Sequence, residues 1–295
     1  MNIFKRSVVI GILGLGVGAN VQAIPIAADV IFVVDESGSM GGEHTWLGSM
    51  INSLESGLVT AGVGTGVVTN NYGLLGYGAG SGHGTGGHKH SVGGGDWGTD
   101  SEFATATGGL VTSGFLEDGW QAISYALDNY TFRAGAALNI VLVTDEDRDS
   151  YISTTYQATL DNLTLHGGIL NSVVNCNFSV NGSQAIGVNS SSMGYVADGA
   201  GGYISSPGAA QSGSCAGTTK LDYVDMAWET GGAAWDLNVL RNGGNSAISF
   251  TNAFVDVKVE EIITSIPEPG SLALLGLGLL GMGFAKKRNA QKLAA

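Results

Sequence analysis

Two kinds of hydrophobic pattern alternate along the middle of the chain. Residues 30–34 form a short, unbroken apolar run, and residues 137–147 contain a second strongly apolar stretch; both are typical of strands buried on both faces. Between such runs, apolar residues recur at helical spacing, as they do over residues 44–62 and 117–130. This alternation predicts strand–helix–strand units and a largely parallel sheet flanked by helices.

The same patterns predict the remaining elements. In chain order these are a strand at 70–78, a helix at 156–168, a strand at 169–180, a helix, short strand and turn across 221–244, and a closing helix at 250–264. Two Gly-rich stretches interrupt this order. Residues 78–98 have little to pack and are predicted to form a long loop, and residues 181–219 are predicted to form an inserted loop or β-ribbon. We therefore predict one α/β domain from residue 27 to residue 264.

The first 23 residues have the three parts of a secretory signal peptide. The basic pair Lys5-Arg6 precedes an apolar stretch at 7–19, and the small residues Val21 and Ala23 follow it. We expect cleavage after Ala23 and therefore export.

The C-terminus also has three parts in a fixed order. Pro267, Glu268 and Pro269 precede an apolar run at 272–285, and a basic cluster at 286–288 follows. This tail closely resembles the PEP-CTERM sorting signal of Gram-negative bacteria. The resemblance implies a short transmembrane segment within residues 266–290, anchored in the inner membrane with its basic end cytoplasmic, and processing by an exosortase. The run is shorter than the roughly 20 residues that span a bilayer comfortably. An ordinary C-terminal anchor is the alternative.

Net charge narrows the choice of partners. The chain carries a net charge of −13, but six of its 12 basic residues lie in the first 23 and the last 25 residues, which hold no acids. The stretch between them therefore has a net charge of −19. So acidic a domain argues against binding to nucleic acid or to an anionic membrane face.

Export also changes the interpretation of the two cysteines. Cys176 and Cys215 are expected to form a disulfide, because an oxidising compartment favours one. A pair of buried thiols and an intermolecular disulfide are the alternatives.

Two of the buried strands end in carboxylates, at Asp35 and Asp145. Ligands of open parallel sheets bind beyond the carboxyl ends of strands at the point where the strand order reverses. Ser37 and Ser39 follow Asp35 at two-residue spacing, which points three oxygen-bearing side chains the same way in an extended loop. Such ligands suit Mg²⁺, Mn²⁺ or Ca²⁺. Helix capping is the alternative role for the two serines.

These segments resemble the von Willebrand factor type A (vWA) domain. The segment "VIFVVDESGSM" is similar to the family's Asp-x-Ser-x-Ser signature. The segment "NIVLVTDED" is similar to the strand that carries the family's second metal-binding Asp, and "MAWETGGAAWDL" is similar to the family's Ala-x-x-Thr-Gly-Gly segment late in the domain. The resemblance implies a doubly wound, Rossmann-like fold with a metal-ion-dependent adhesion site that captures an acidic group. By matching positions it assigns metal roles to Asp35, Ser37, Ser39 and Asp145.

One position departs from that family. A Thr is expected a few residues before the pair matched here by 122–123, but counting back reaches Glu117 or Phe115. Glu117 is the candidate ligand, and a carboxylate there would favour Ca²⁺. Thr112 or Ser113 would fill the position if the loop bends differently. Glu117 would otherwise only be an acid in the first turn of a helix, where the helix dipole favours it.

Three hypotheses for the function of the protein follow from these features. We expect an exported binding protein that holds an acidic protein or polysaccharide in the extracellular matrix or biofilm. The alternative is a structural envelope component whose metal only stabilises the fold. An envelope serine hydrolase is disfavoured, because the chain lacks a Gly-x-Ser-x-Gly elbow and has no histidine after residue 166. We therefore expect no catalytic residues.

A histidine cluster offers another candidate metal site. His83, His88 and His90 lie among glycines, and His-rich tracts sometimes bind transition metals. Flexible glycine on every side favours a solvated loop instead. The acidic run at 145–149 is likewise expected to be a solvated loop, with a second cation as the alternative.

Overall fold

The computed structural model describes residues 27–80, 86–149 and 154–265. The predicted signal peptide at 1–23, the predicted sorting tail at 266–290 with its apolar run, and His83 lie outside the described residues. Of the helices in the described ranges, none has the length and hydrophobicity needed to cross a membrane.

Twelve strands and seven α-helices are described. The strands are Ala28–Asp35 (β1), Asn71–Tyr77 (β2), His88–His90 (β3), Ala137–Thr144 (β4), Ile169–Val174 (β5), Cys176–Val180 (β6), Ser183–Ala185 (β7), Gly187–Asn189 (β8), Met193–Ala197 (β9), Tyr203–Pro207 (β10), Ala210–Cys215 (β11) and Ala233–Asp236 (β12). The helices are Gly41–Thr60 (α1), Asp100–Ala106 (α2), Gly119–Asn129 (α3), Tyr156–Leu165 (α4), Asp225–Glu229 (α5), Leu237–Arg241 (α6) and Gly244–Ser265 (α7).

Nine strands form the main sheet in the order β10-β9-β8-β12-β5-β4-β1-β2-β3. The five central strands, from β12 to β2, are parallel, and antiparallel strands extend both edges. The chain runs outward from β1 to β2 and β3, and then returns to β4 on the other side of β1. The predicted doubly wound, mostly parallel sheet flanked by helices is confirmed, and its strand order reverses between β1 and β4.

Strand β1 is buried on both faces, which explains its unbroken apolar run. Val30, Phe32 and Val34 belong to the core beneath α1, α2, α6 and α7. Ile31 and Val33 belong to the core beneath α3, α4 and α5. The side chains of successive residues in β1 therefore pack into the cores on opposite faces of the sheet.

The prediction of a single strand at 169–180 is wrong, because the structure has two strands there. The chain bends at Asn175, so that β5 lies in the main sheet and β6 lies in a separate three-stranded sheet of order β11-β6-β7. The main-chain carbonyl of Asn175 accepts a hydrogen bond from the amide of Ala216 at the bend. The burial pattern also changes there, from continuous in β5 to alternating in β6, because β6 has only one buried face.

The long loop predicted at 78–98 is also wrong in part. His88–His90 pairs antiparallel with β2 and forms the edge of the main sheet. Backbone pairing therefore orders two of the three histidines that were expected in a solvated loop. The following helix α2 was not predicted, although Thr99 and Glu102 form a capping box at its start. Of the two alternatives for 181–219, the β-ribbon is the one that forms, since β9 and β10 pair antiparallel.

Cys176 and Cys215 are joined in a disulfide. They lie opposite each other on β6 and β11, and the loop between them is closed across 39 positions of sequence. The disulfide therefore links β6 covalently to β11 within the three-stranded sheet.

Replacing both cysteines by serine should lower the free energy of unfolding by about 2–4 kcal/mol, because the unfolded chain regains the entropy of the closed loop. Denaturant unfolding of the oxidised protein measures this difference. Reduction should lower the free energy of unfolding of the wild type and leave that of the double variant unchanged. Peptide mapping without reduction should recover the two cysteines in one peptide pair. Two free thiols in the exported protein would contradict the assignment.

Candidate metal centre

The two carboxylates predicted to share a crevice do so. Asp35 is the last residue of β1, Asp145 directly follows β4, and these parallel strands are neighbours at the switch point of the sheet. Asp35 is fully buried, and Asp145 is 8% exposed. Both side chains therefore lie where an α/β sheet of this kind binds its ligands.

Hydrogen bonds hold the carboxylate of Asp35 in place. Its Oδ1 accepts from the amide of Ser37 at 2.7 Å, and its Oδ2 accepts from the hydroxyl of Thr144 at 2.9 Å. The ring Nε2 of His44 lies 2.8 Å from the main-chain oxygen of Asp35. The turn after β1 is thereby fixed from three directions.

Ser37 and Ser39 connect this turn to Asp145. Their hydroxyl oxygens lie 3.3 Å apart, and the Ser39 hydroxyl donates to Oδ1 of Asp145 at 2.9 Å. Helix capping, the alternative role for the serines, is wrong. Helix α1 begins after Met40, and no side chain caps it. Both hydroxyls are instead directed into the cluster of carboxylates.

Glu117 completes this cluster. It lies just before α3 and is 2% exposed, and one of its carboxylate oxygens lies within 4.8 Å of ligand atoms of both Asp35 and Asp145. The other candidates for this position, Thr112, Ser113 and Phe115, are exposed. We refer below to Asp35, Ser37, Ser39, Glu117 and Asp145 as the oxygen cluster.

A role at the helix start does not explain Glu117. Asp118 caps α3, since its Oδ1 accepts a hydrogen bond from the amide of Gln121 at 3.2 Å. Oε2 of Glu117 is buried and has no hydrogen-bond partner among the described residues. An unsatisfied buried carboxylate oxygen is costly unless a cation meets it. The donor set therefore fits a divalent ion, with all five residues offering oxygen.

The carboxylates perturb one another. Burial raises the pKa of Asp35. Burial, followed by the charge of Asp35, raises the pKa of Glu117 to about 9. Like charges packed this closely cannot all ionise in a dry site without compensation. A bound divalent cation would supply that compensation and allow all the carboxylates to ionise.

Arg241 is a site residue that the sequence did not reveal. It lies at the end of α6, and its Nη2 donates to Oδ2 of Asp145 at 2.9 Å, while its Nε donates to Glu43. Arg241 thus fixes the outer oxygen of Asp145 and leaves Oδ1 for Ser39. No local motif marks it, because it reaches the crevice from an element 96 positions after Asp145.

Comparison with known sequences identifies the tail. Residues 265–288 match the PEP-CTERM protein-sorting motif, which confirms the predicted sorting signal. No curated protein matches the chain.

Several solved structures are similar to parts of the chain. Proximal thread matrix protein 1 from the mussel byssus, with a zinc-occupied MIDAS motif, is 15% identical over 50% of this chain and 35% of its own, with a TM-score of 0.37. A von Willebrand factor type A structure from Catenulispora acidiphila is 13% identical over 50% of this chain and 33% of its own, with a TM-score of 0.34. The match therefore spans about a third of the length of each of these two proteins.

The structure of an aerotolerance-related membrane protein from Bacteroides fragilis is similar to a larger part of this chain than the two structures above. It is 12% identical over 81% of this chain and 98% of its own, with a TM-score of 0.40.

Glu117 should make the stability of the cation-free protein depend on pH. Folding raises its pKa from 4.5 to about 9, so folding favours the protonated form. That contribution is fully present below about pH 4.5 and is lost as the pH rises through 9. We expect the melting temperature of chelator-treated protein to fall across this window, and to fall much less for Glu117→Gln.

Thermal scans near pH 5, 7 and 9 with and without Ca²⁺ test this expectation. Because the cation replaces the proton, the stabilisation by Ca²⁺ should grow with pH in the wild type and in the exposed control Glu260→Gln. A Ca²⁺ effect that is the same at every pH would contradict the placement of Glu117 at the cation.

Proposed function

We propose that this chain is an exported vWA-type binding protein that holds a divalent cation in the oxygen cluster and presents it to an acidic group of a protein or polysaccharide. One observation carries the proposal: three buried carboxylates converge with two hydroxyls at the switch point of the sheet, and one oxygen of Glu117 has no partner there among the described residues. The motif resemblance at Asp35, Ser37, Ser39 and Asp145 agrees with this assignment.

The chemistry of the cluster favours a hard cation. All five side chains offer oxygen, which suits Mg²⁺, Mn²⁺ and Ca²⁺. The carboxylate of Glu117 stands where the vWA resemblance leads one to expect a hydroxyl, and it adds both charge and a second possible ligand atom. Ca²⁺ accepts more oxygen ligands and bidentate carboxylates, so we propose Ca²⁺ as the preferred ion.

The outer side of the cluster is suited to an acidic ligand. Gly38 and Ser39 are exposed, so a cation held there would face solvent on one side. A groove of about 430 Å³ adjoins it, and its lining includes Ser39, Trp46 and Arg241. A ligand carboxylate that reached the cation from this groove would also meet the guanidinium of Arg241, which strengthens binding by a charge-assisted hydrogen bond.

A second candidate function follows from the same carboxylates. Asp35, Glu117 and Asp145 together carry more negative charge than one divalent cation neutralises, which weakens the attraction of the site for an acidic partner. On this alternative the cation only stabilises the fold of a matrix or envelope component. The two candidates differ in whether a ligand binds only when the cation is present.

The location of the protein is proposed from its two ends. The sorting motif at 265–288 supports transfer to an exosortase after export, with display at the cell surface or in the extracellular matrix of a Gram-negative bacterium. Transient anchoring in the inner membrane would precede that step.

We propose no enzymatic role. A serine nucleophile needs a nearby base. The hydroxyls of Ser37 and Ser39 contact each other and Asp145, and the ring Nε2 of His44 is engaged with the main-chain oxygen of Asp35. This arrangement supports a binding function over the serine-hydrolase alternative.

Calorimetric titration of the full chain with Ca²⁺, Mg²⁺ and Mn²⁺ tests the cation site. We expect one site per chain, an affinity order led by Ca²⁺, and a loss of at least about tenfold in Asp35→Asn, equivalent to about 1.4 kcal/mol. Asp161→Asn, on the exposed face of α4, is the matched control and should bind as the wild type does. Equal, weak binding by wild type and Asp35→Asn would rule out the site.

Capture of ligands from the producing cells separates the two candidate functions. A protein or polysaccharide that binds with Ca²⁺, is released by chelator, and fails to bind Asp35→Asn would support the binding role. A cation that raises the melting temperature without any chelator-sensitive ligand would favour the structural role.

Processing at the sorting signal should remove the tail. We expect the intact mass of the exported protein to lack the residues after the Pro-Glu-Pro motif at 267–269. A mature protein that keeps its C-terminus through residue 295 would favour an ordinary anchor.

A further inference from the structure

Glu36, the neighbour of Asp35, enters a different cluster of side chains. Its carboxylate lies over Gly76 of β2, where any Cβ would come within 2.1 Å of Oε2. Leu74, two residues earlier on β2, belongs to the core beneath α1 and α2, whereas the oxygen cluster lies at the start of α3. The last residue of β1 and the residue that follows it thus supply carboxylates to two separate clusters.

Two histidines of β3 meet Glu36 there. The ring Nε2 of His90 lies 3.0 Å from Oε1 of Glu36, and the ring Nε2 of His88 lies 3.0 Å from Oε2. The two Nε2 atoms are 3.1 Å apart. The three side chains therefore direct their ligand atoms toward one common point.

The strand register builds this arrangement. His88 and His90 are two residues apart on β3, so both rings lie on one face, opposite Gly76 and Leu74 of β2. Only glycine at position 76 leaves room for the carboxylate, since a Cβ would also lie within 2.9 Å of the His88 ring.

Hydrogen bonds can satisfy only two of these three contacts at once. If both Nε2 atoms carry hydrogen, each donates to a Glu36 oxygen, and the two nitrogens lie 3.1 Å apart with no hydrogen between them. If one hydrogen bridges the two rings, a nitrogen lone pair faces a carboxylate oxygen. A cation at the common point would accept all of these lone pairs. Two atoms bound to one Zn²⁺ at about 2.0–2.1 Å stand roughly 3.0–3.4 Å apart, which matches the observed spacing.

We propose that Glu36, His88 and His90 form a second metal site, specific for a divalent transition metal such as Zn²⁺. Two imidazole nitrogens and a carboxylate suit Zn²⁺ and its neighbours in the first transition row, whereas Mg²⁺ and Ca²⁺ prefer all-oxygen sites. The two sites of this chain therefore differ in ligand chemistry, although Asp35 and Glu36 are consecutive.

The surroundings of the site support a bound ion. The amide of Val111 donates to Oε1 of Glu36 at 2.9 Å and orients the carboxylate from behind. The side chain of Glu36 is fully buried, but those of His88 and His90 are 21% and 10% exposed, which gives an ion a path from solvent. Three protein ligands leave at least one coordination position for water or a partner group.

Zinc titration of the full chain, purified without a polyhistidine tag, tests the proposal. With excess Ca²⁺ filling the oxygen cluster, the wild type should bind one equivalent of Zn²⁺ in competition with a chromophoric chelator. The double substitution His88→Gln, His90→Gln should weaken this binding at least about tenfold, and His166→Gln, at an exposed histidine, should leave it unchanged. Asp35→Asn should also retain it, which separates this site from the proposed calcium site.

The X-ray absorption spectrum of the wild type at the zinc K-edge reports the ligands of the bound Zn²⁺ and does not depend on whether the variants fold. We expect it to show scattering from two imidazole rings. Oxygen-only scattering, or a double variant that folds and binds Zn²⁺ as tightly as the wild type, would overturn the proposal.

Discussion

Repulsion among three carboxylates is the constraint on which the rest of this structure depends. Asp35, Glu117 and Asp145 offer oxygens within 4.8 Å of one another, and all three side chains are buried. Burial and mutual charge raise the pKa of Glu117 to about 9, which shows how poorly the protein alone tolerates full ionisation there. Either protons or a divalent cation must compensate, and the exposed side of the crevice gives a cation access.

The fold brings these charges together because of where its strand order reverses. Strands β1 and β4 are neighbours, so the residues after them meet at one edge, and α3 begins at the same edge with Glu117 before its first turn. Glu36 follows directly after β1, and the two neighbouring acids enter different clusters. Asp35 faces the start of α3, and Glu36 meets His88 and His90 over Gly76. One strand end thereby supports two groups of ligand atoms with different chemistry.

Part of this could be predicted from the sequence, because local patterns carry it. The apolar stretches located β1 and β4, and the carboxylates at the ends of these strands, Asp35 and Asp145, were metal-ligand candidates by position. Glu117 was only one of several candidates, since loop geometry decides which residue reaches the crevice. Arg241 and the β3 histidines could not be placed, because their contacts depend on long-range pairing that leaves no periodic signal. The break between β5 and β6 was missed although the burial period changes there, because both segments are rich in β-branched and apolar residues.

Anomalous diffraction from crystals grown with Mn²⁺ tests the central claim most directly. A divalent cation in the oxygen cluster requires an anomalous peak within bonding distance, about 2.1–2.3 Å, of oxygens from Asp35, Ser39 and Glu117. A peak that lies only at the acidic residues Glu146, Asp147 and Asp149, with the oxygen cluster empty at saturating Mn²⁺, would contradict it.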